Sequence, residues 1–121
     1  MIELKIVFYI LLIHFLGDFG LQTHEQATNK SKKGGEKYLF FHVLTYSLVW
    51  FGASMILFTD VWDMVNFTVI TFLAHFMTDY ITSRIASGFF AKDDYHNGFV
   101  VIGFDQLLHY GQLLLTYMLL K

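Results

Sequence analysis

The sequence predicts an all-α integral membrane protein, a four-helix bundle made of two helical hairpins repeated in parallel. Three observations lead there. The chain of 121 residues is 55% hydrophobic and only 15% charged, too apolar for a soluble bundle in which every helix must turn a polar face to water. The run from Tyr38 to Thr59 contains no Asp, Glu, Lys or Arg and is long enough to cross a bilayer. Finally, the stretch HFLGDF from His14 recurs as HFMTDY from His75. Each copy is followed by a basic connection and a helix bearing a His, so both hairpins enter the membrane from the same side.

Hydropathy and polar ends place the helices at about 4–23, 38–59, 64–83 and 98–120 within a single transmembrane domain, residues 1–121. At a rise of about 1.5 Å per residue, each covers the hydrocarbon thickness. The first and third are the weaker spans, because Asp18 and Asp79 lie inside them, and spans of this kind insert as parts of a bundle. MIELK and the apolar run after it read as part of the mature chain, since an acid precedes the run and no small-residue cleavage site follows it.

The connections set the orientation. Lys30, Lys32, Lys33 and Lys37 lie in the first and Arg84 and Lys92 in the third, whereas the second, DVWD, has two acids and no base. The positive-inside rule makes the first and third cytoplasmic and puts both termini outside the inner (cytoplasmic) membrane. Gly34-Gly35 marks a flexible loop, and Phe89 and Phe90 suit an interfacial turn dipping into the headgroups. His24 and His96 fall in loops, as solvated surface groups.

The helices carry seven ionisable groups: His14 and Asp18, His42, His75 and Asp79, and Asp105 and His109. Spacing of four residues puts the members of each His/Asp pair on one face. Counted from the cytoplasmic boundaries, Asp18, His42 and Asp79 lie about 6 to 8 Å deep, Asp105 about 10 Å, and His14, His75 and His109 about 12 to 17 Å. All seven therefore occupy one half of the membrane. An aspartate at the middle of a membrane helix costs about 2.5 to 3.5 kcal/mol, which pairing or metal binding must offset.

Imidazoles and carboxylates in one water-poor layer suit a divalent metal, zinc first, with iron or manganese as alternatives. No cysteine is present, which moves the expectation from a closed structural zinc to a site with exchangeable positions. The candidate metal ligands are His14, Asp18, His75, Asp79 and His109. His42 and Asp105 are the candidate catalytic residues, and Gln22 and Gln106 supply outer hydrogen bonds. Gly17, Gly20 and Ala74 would let the helices approach closely enough for Asp to reach. With 8 basic against 10 acidic residues there is no electrostatic footprint for nucleic acid.

These residues carry a resemblance. HFLGDFGLQ, His42, HFMTDY and DQLLH together resemble the domain of unknown function 3307 family, small bacterial and phage integral membrane proteins of about four helices. The likeness spans nearly the whole chain and falls on His14, Asp18, Gln22, His42, His75, Asp79, Asp105, Gln106 and His109. It also implies a Lys soon after the third-helix Asp, where this sequence has Ile81, Thr82 and Ser83 and its first base at Arg84. The arrangement is more distantly similar to membrane-bound metal-dependent hydrolases with His/Asp motifs in their helices.

The expected function is a metal-dependent hydrolase of a lipid-like or phosphoester substrate in the bilayer, with room for a homodimer. The alternatives are a metal-ion or proton carrier, a haem protein, and a non-catalytic protein whose polar layer fixes helix packing.

Overall fold

The computed structural model describes residues 2–121. The fold is all-α: α1 (Leu4–Phe15), a π-helical turn (Leu16–Gly20), α2 (His24–Asn29), α3 (Glu36–Leu57), α4 (Val61–Ala91) and α5 (Tyr95–Leu120). α4 packs against α3 and α5, and α1 also packs against α3 and α5. α3 and α4 are long and apolar enough to cross a membrane.

The first helix ends sooner than hydropathy suggests. After Phe15 the ladder widens, and Leu21 N–H bonds to Leu16 O at 2.9 Å, a five-residue step. Thr23 then turns extended and caps α2: its hydroxyl accepts from Gln26 N–H, and the Gln26 side chain accepts from Thr23 N–H. That capping box starts a new helix inside what the sequence pattern makes a connection. His24 is accordingly the first residue of α2 rather than part of a loop, and it is exposed.

The other boundaries shift for local reasons. Asp60 accepts from Trp62 N–H at 2.8 Å and starts α4 three residues before Met64. α4 then runs past Ser83 to Ala91, and no interfacial turn forms at Phe89 and Phe90. The Phe90 ring instead packs so tightly on Gly98 that a Cβ there would lie 2.6 Å from it. The helix ends in a Schellman motif, with Asp93 left-handed (φ 59°) and bonds from Asp93 N–H to Phe90 O and Asp94 N–H to Phe89 O. Asp94 caps α5 by accepting from Asn97 N–H, so α5 begins before Gly98 and His96 is an exposed helical residue.

Many large apolar side chains face outward while four histidines are enclosed. Leu4, Phe8, Leu48, Ile56, Leu73, Met77, Phe99, Leu107 and Leu119 are exposed, whereas His14, His42, His75 and His109 are at most 2% exposed. Toward the chain termini the interior is mostly apolar, built from Ile10, Tyr46, Trp50, Phe67, Leu113 and Tyr117, with Thr71, Gln112 and Thr116 hydrogen-bonded among them. Tyr9 donates to Ala53 O at 2.9 Å and ties α1 to α3 at that end.

Of the small residues expected to permit close approach, Gly17 does so. A Cβ there would lie 2.9 Å from the Tyr46 ring, whereas Gly20 is exposed and has room. Gly17→Ala should therefore destabilise the protein by about 1 to 3 kcal/mol through overpacking. Thermal unfolding in detergent tests this; an unchanged midpoint would show that Tyr46 can yield.

Candidate metal centre

The π-turn is what aims Asp18 into the interior. π-turns occur often at functional sites, because the extra residue re-aims side chains at the cost of one regular turn. Asp18 Oδ1 accepts from His42 Nε2 at 3.0 Å and lies 3.6 Å from His75 Nε2. Asp79 Oδ2 lies 3.4 Å from His42 Nε2 and 3.8 Å from His75 Nε2. The two imidazole nitrogens are themselves 3.4 Å apart.

These separations form a test. A tetrahedral ion with bonds of about 2.0 to 2.1 Å requires ligand atoms about 3.3 to 3.4 Å from one another. The five separations just given run from 3.0 to 3.8 Å. Asp18, His42, His75 and Asp79, all buried, thus form one group able to hold a metal ion. Asp18, Asp105 and His109 form a second, so Asp18 belongs to both. In the second, His109 Nε2 lies 3.1 Å from Asp105 Oδ1 but is too poorly aligned to count as hydrogen-bonded, and it is a buried nitrogen without a partner. An orphaned imidazole nitrogen beside two carboxylates is what a ligand set leaves when its ion is removed.

The sequence-expected residues therefore divide. His42 and Asp105, expected to act apart from the metal, stand inside the two ligand groups. His14, expected to bind the metal, stands beside them. Gln106 explains why: its amide N–H group donates to Asp105 Oδ2 at 3.0 Å and Asp18 Oδ2 at 3.3 Å, which fixes its oxygen toward His14. His14 Nε2–H then donates to that oxygen at 2.6 Å, and Nδ1 accepts from the Tyr46 hydroxyl at 2.7 Å. Both nitrogens of His14 are occupied. Gln106 thus bonds to both carboxylates and to His14, whereas the Gln22 oxygen is buried without a partner.

Three further residues belong to the site. Tyr46 stacks on His75 with ring centres 4.0 Å apart, and His109 covers the other side at 4.1 Å. His75 Nδ1 has no partner, so stacking supplies the orientation that a hydrogen bond usually gives a ligand imidazole. Thr82 donates to Asp105 Oδ1 at 2.5 Å. Lys30, carried in at the end of α2, pairs with Asp79 Oδ2 at 2.9 Å, with its side chain 15% exposed. Tyr46 and Thr82 follow His42 and Asp79 by four and three residues, a spacing that sequence can flag. Lys30 depends on the reversal at Thr23, which hydropathy does not register. Arg84 pairs instead with Glu36 at 3.2 Å and covers the Tyr80 ring.

A cleft of about 270 Å³ opens from Asp18, Asp79 and Asp105 toward α2. Lys30, Ser31, Ser83, Ser87 and Gln22 line it together with Phe19, Phe90 and Ile102.

A family model described as a protein of unknown function, DUF3307, matches residues 6–121. The chain belongs to the DUF3307 family. No curated protein and no solved structure matches it. The DUF3307 match covers every residue of both ligand groups, Lys30 and the cleft.

The Lys30–Asp79 pair offers a test of the site without catalysis. Breaking a buried ion pair leaves an uncompensated charge and costs about 3 to 5 kcal/mol. In chelator-treated protein, Lys30→Gln should lower the unfolding midpoint accordingly, and added zinc should restore most of the loss by neutralising Asp79. If chelator and zinc leave the variant's melting unchanged, Asp79 does not bind metal.

Proposed function

We propose that this DUF3307 protein is a zinc-dependent hydrolase set in the cytoplasmic half of a membrane-spanning four-helix bundle, acting on a phosphoester or lipid-like substrate. The observation that carries the reading is the pair of ligand groups sharing Asp18 and opening into one cleft. The first group has four ligands, as structural sites do, and the second has three, as catalytic sites with an open position do. A metal in the second would acidify a water molecule and polarise the ester oxygen. Zinc suits a tetrahedral imidazole and carboxylate set.

The chain's own residues do the remaining work. His14 and Gln106 hold Asp18 and Asp105 in register, Tyr46 and His109 hold the His75 plane, and Thr82 fixes Asp105 at the cleft wall. The bundle is proposed as two parallel hairpins, α1 with α3 and α4 with α5, with both termini outside. Support for the membrane comes from the apolar exterior around a buried polar centre. An apolar groove between α4 and α5, lined by Met77, Ile81, Ile85, Val100 and Phe104, meets the cleft at Thr82 and suits sideways access for an acyl chain.

Hydrolysis is favoured over transport because the charged groups stop on one side. Beyond His14 and His109 the interior holds Ile10, Trp50, Phe67 and Leu113 beside the hydrogen-bonded Thr71, Gln112 and Thr116, and among the described residues no buried carboxylate, imidazole or ammonium continues an ion path.

Elemental analysis of protein purified in detergent tests the reading. Wild type should hold two equivalents of metal, His109→Ala one, and Asp18→Asn at most one, on His42, His75 and Asp79, while His14→Ala keeps its metal and loses hydrolysis. A metal-free wild type after zinc loading would overturn the proposal. Flux of zinc into sealed vesicles carrying the protein would replace it with a carrier.

A further inference from the structure

Charge in the cleft narrows the substrate class, resting on the two-metal reading above. Asp18, Asp79 and Asp105 bring three negative charges to the site, and Lys30 is the one cation among the cleft-lining residues. With the histidines neutral, as ligands to a metal must be, the three carboxylates and Lys30 sum to two negative charges. Two divalent ions reverse that to two positive charges, in an interior where uncompensated charge is costly. A ligand that restores neutrality brings two negative charges. A phosphate monoester or inorganic phosphate does so as the dianion; a carboxylic ester or a phosphodiester does not.

The uncharged donors in the cleft agree. Ser31, Ser83, Ser87 and Lys30 lie on its wall, on the side of the ligand groups that faces α2. Ser83 Oγ is buried with no partner. Ser31 and Ser87 hydroxyls bond only to each other, at 2.6 Å across the gap between the α2 connection and α4. Hydroxyls and an ammonium around a concave space match the outer oxygens of a phosphate, which accept several hydrogen bonds at once. Lys30 is engaged with Asp79, and a metal on Asp79 would release its ammonium to the cleft.

We propose that the cleft between α2, α4 and α5 is a phosphate-monoester subsite, in which Lys30, Ser31, Ser83 and Ser87 hold the non-bridging oxygens beside the two ligand groups. Binding requires no bond to break and is measurable apart from turnover.

The experiment is calorimetric titration of zinc-loaded, full-length protein in detergent, with metal content determined on the same sample. Inorganic phosphate and a short-chain phosphatidic acid serve as the two probes, and a short-chain phosphatidylcholine as the phosphodiester control. Both phosphates should bind the loaded protein and fail to bind the chelator-treated one, and the control should not bind. Lys30→Gln and, separately, Ser83→Ala should weaken phosphate by about tenfold, about 1.4 kcal/mol, with metal content unchanged. Tighter binding of the lipid phosphate identifies a membrane source, and equal binding a free phosphate; either result supports the subsite.

Protein that holds two equivalents of metal yet binds neither phosphate overturns this inference and leaves the hydrolase reading standing. So does phosphate binding that is indifferent to both substitutions, which would place the anion elsewhere. Protein that holds no metal overturns both.

Discussion

The Asp18 carboxylate is the group on which the arrangement depends. It stands on the π-turn after α1 and meets His42 from α3, His75 from α4 and Gln106 from α5, so a single side chain holds four segments in register. A carboxylate buried among helices is costly unless several groups answer it. The surroundings follow from that cost: Gln106 is oriented by Asp18 and Asp105 together, its oxygen fixes the His14 tautomer, and His14 fixes Tyr46. The π-turn that aims Asp18 also ends α1 early enough for α2 to form, and α2 delivers Lys30 to Asp79.

Burial here runs against the usual sorting of residues. Leu, Phe and Met cover much of the outside, while histidines and aspartates fill the centre of one half of the interior. In water such an exterior would drive association. The polar centre is the part that needs explaining, because burying imidazoles and carboxylates is costly unless other groups answer them. Hydrogen bonding accounts for His14, whose two nitrogens are both satisfied. It does not account for His75 Nδ1 or His109 Nε2, which are buried without partners. Hydrogen bonding within the bundle leaves these two atoms unanswered.

Much of this could be read from the sequence, and the remainder was hidden for identifiable reasons. The recurrence of His14 and Asp18 as His75 and Asp79, and the presence of such groups on every long helix, announced a shared polar centre, and the structure brings all seven together. The end of the first helix was hidden, because the apolar run continues through Leu21, close to a capping box whose effect depends on Thr23 turning extended. Lys30 was hidden with it. The division of labour between ligands and their supports was also out of reach, since His14 and His75 occupy equivalent places in the repeat. Only the partner atoms distinguish them: Gln106 and Tyr46 engage His14, whereas His75 is held by stacking and keeps Nε2 facing His42.

That loss of equivalence bears on function. Two faithful copies of one His/Asp hairpin, facing each other, would place matching sets of ligands about a common axis and give two like sites. Here α1 stops at the site in a π-turn, while α4 runs on as a regular helix to Ala91. Asp18 is thereby shared, with Oδ1 toward His42 and His75 and Oδ2 toward Gln106. His14 is withdrawn into support. One ligand group is left with four members and the other with three. Catalysis by a bound metal needs an open position, and stability of a metal site favours a closed one. The departure from the repeat falls at a single turn and leaves, from six residues that share Asp18, one group of each size.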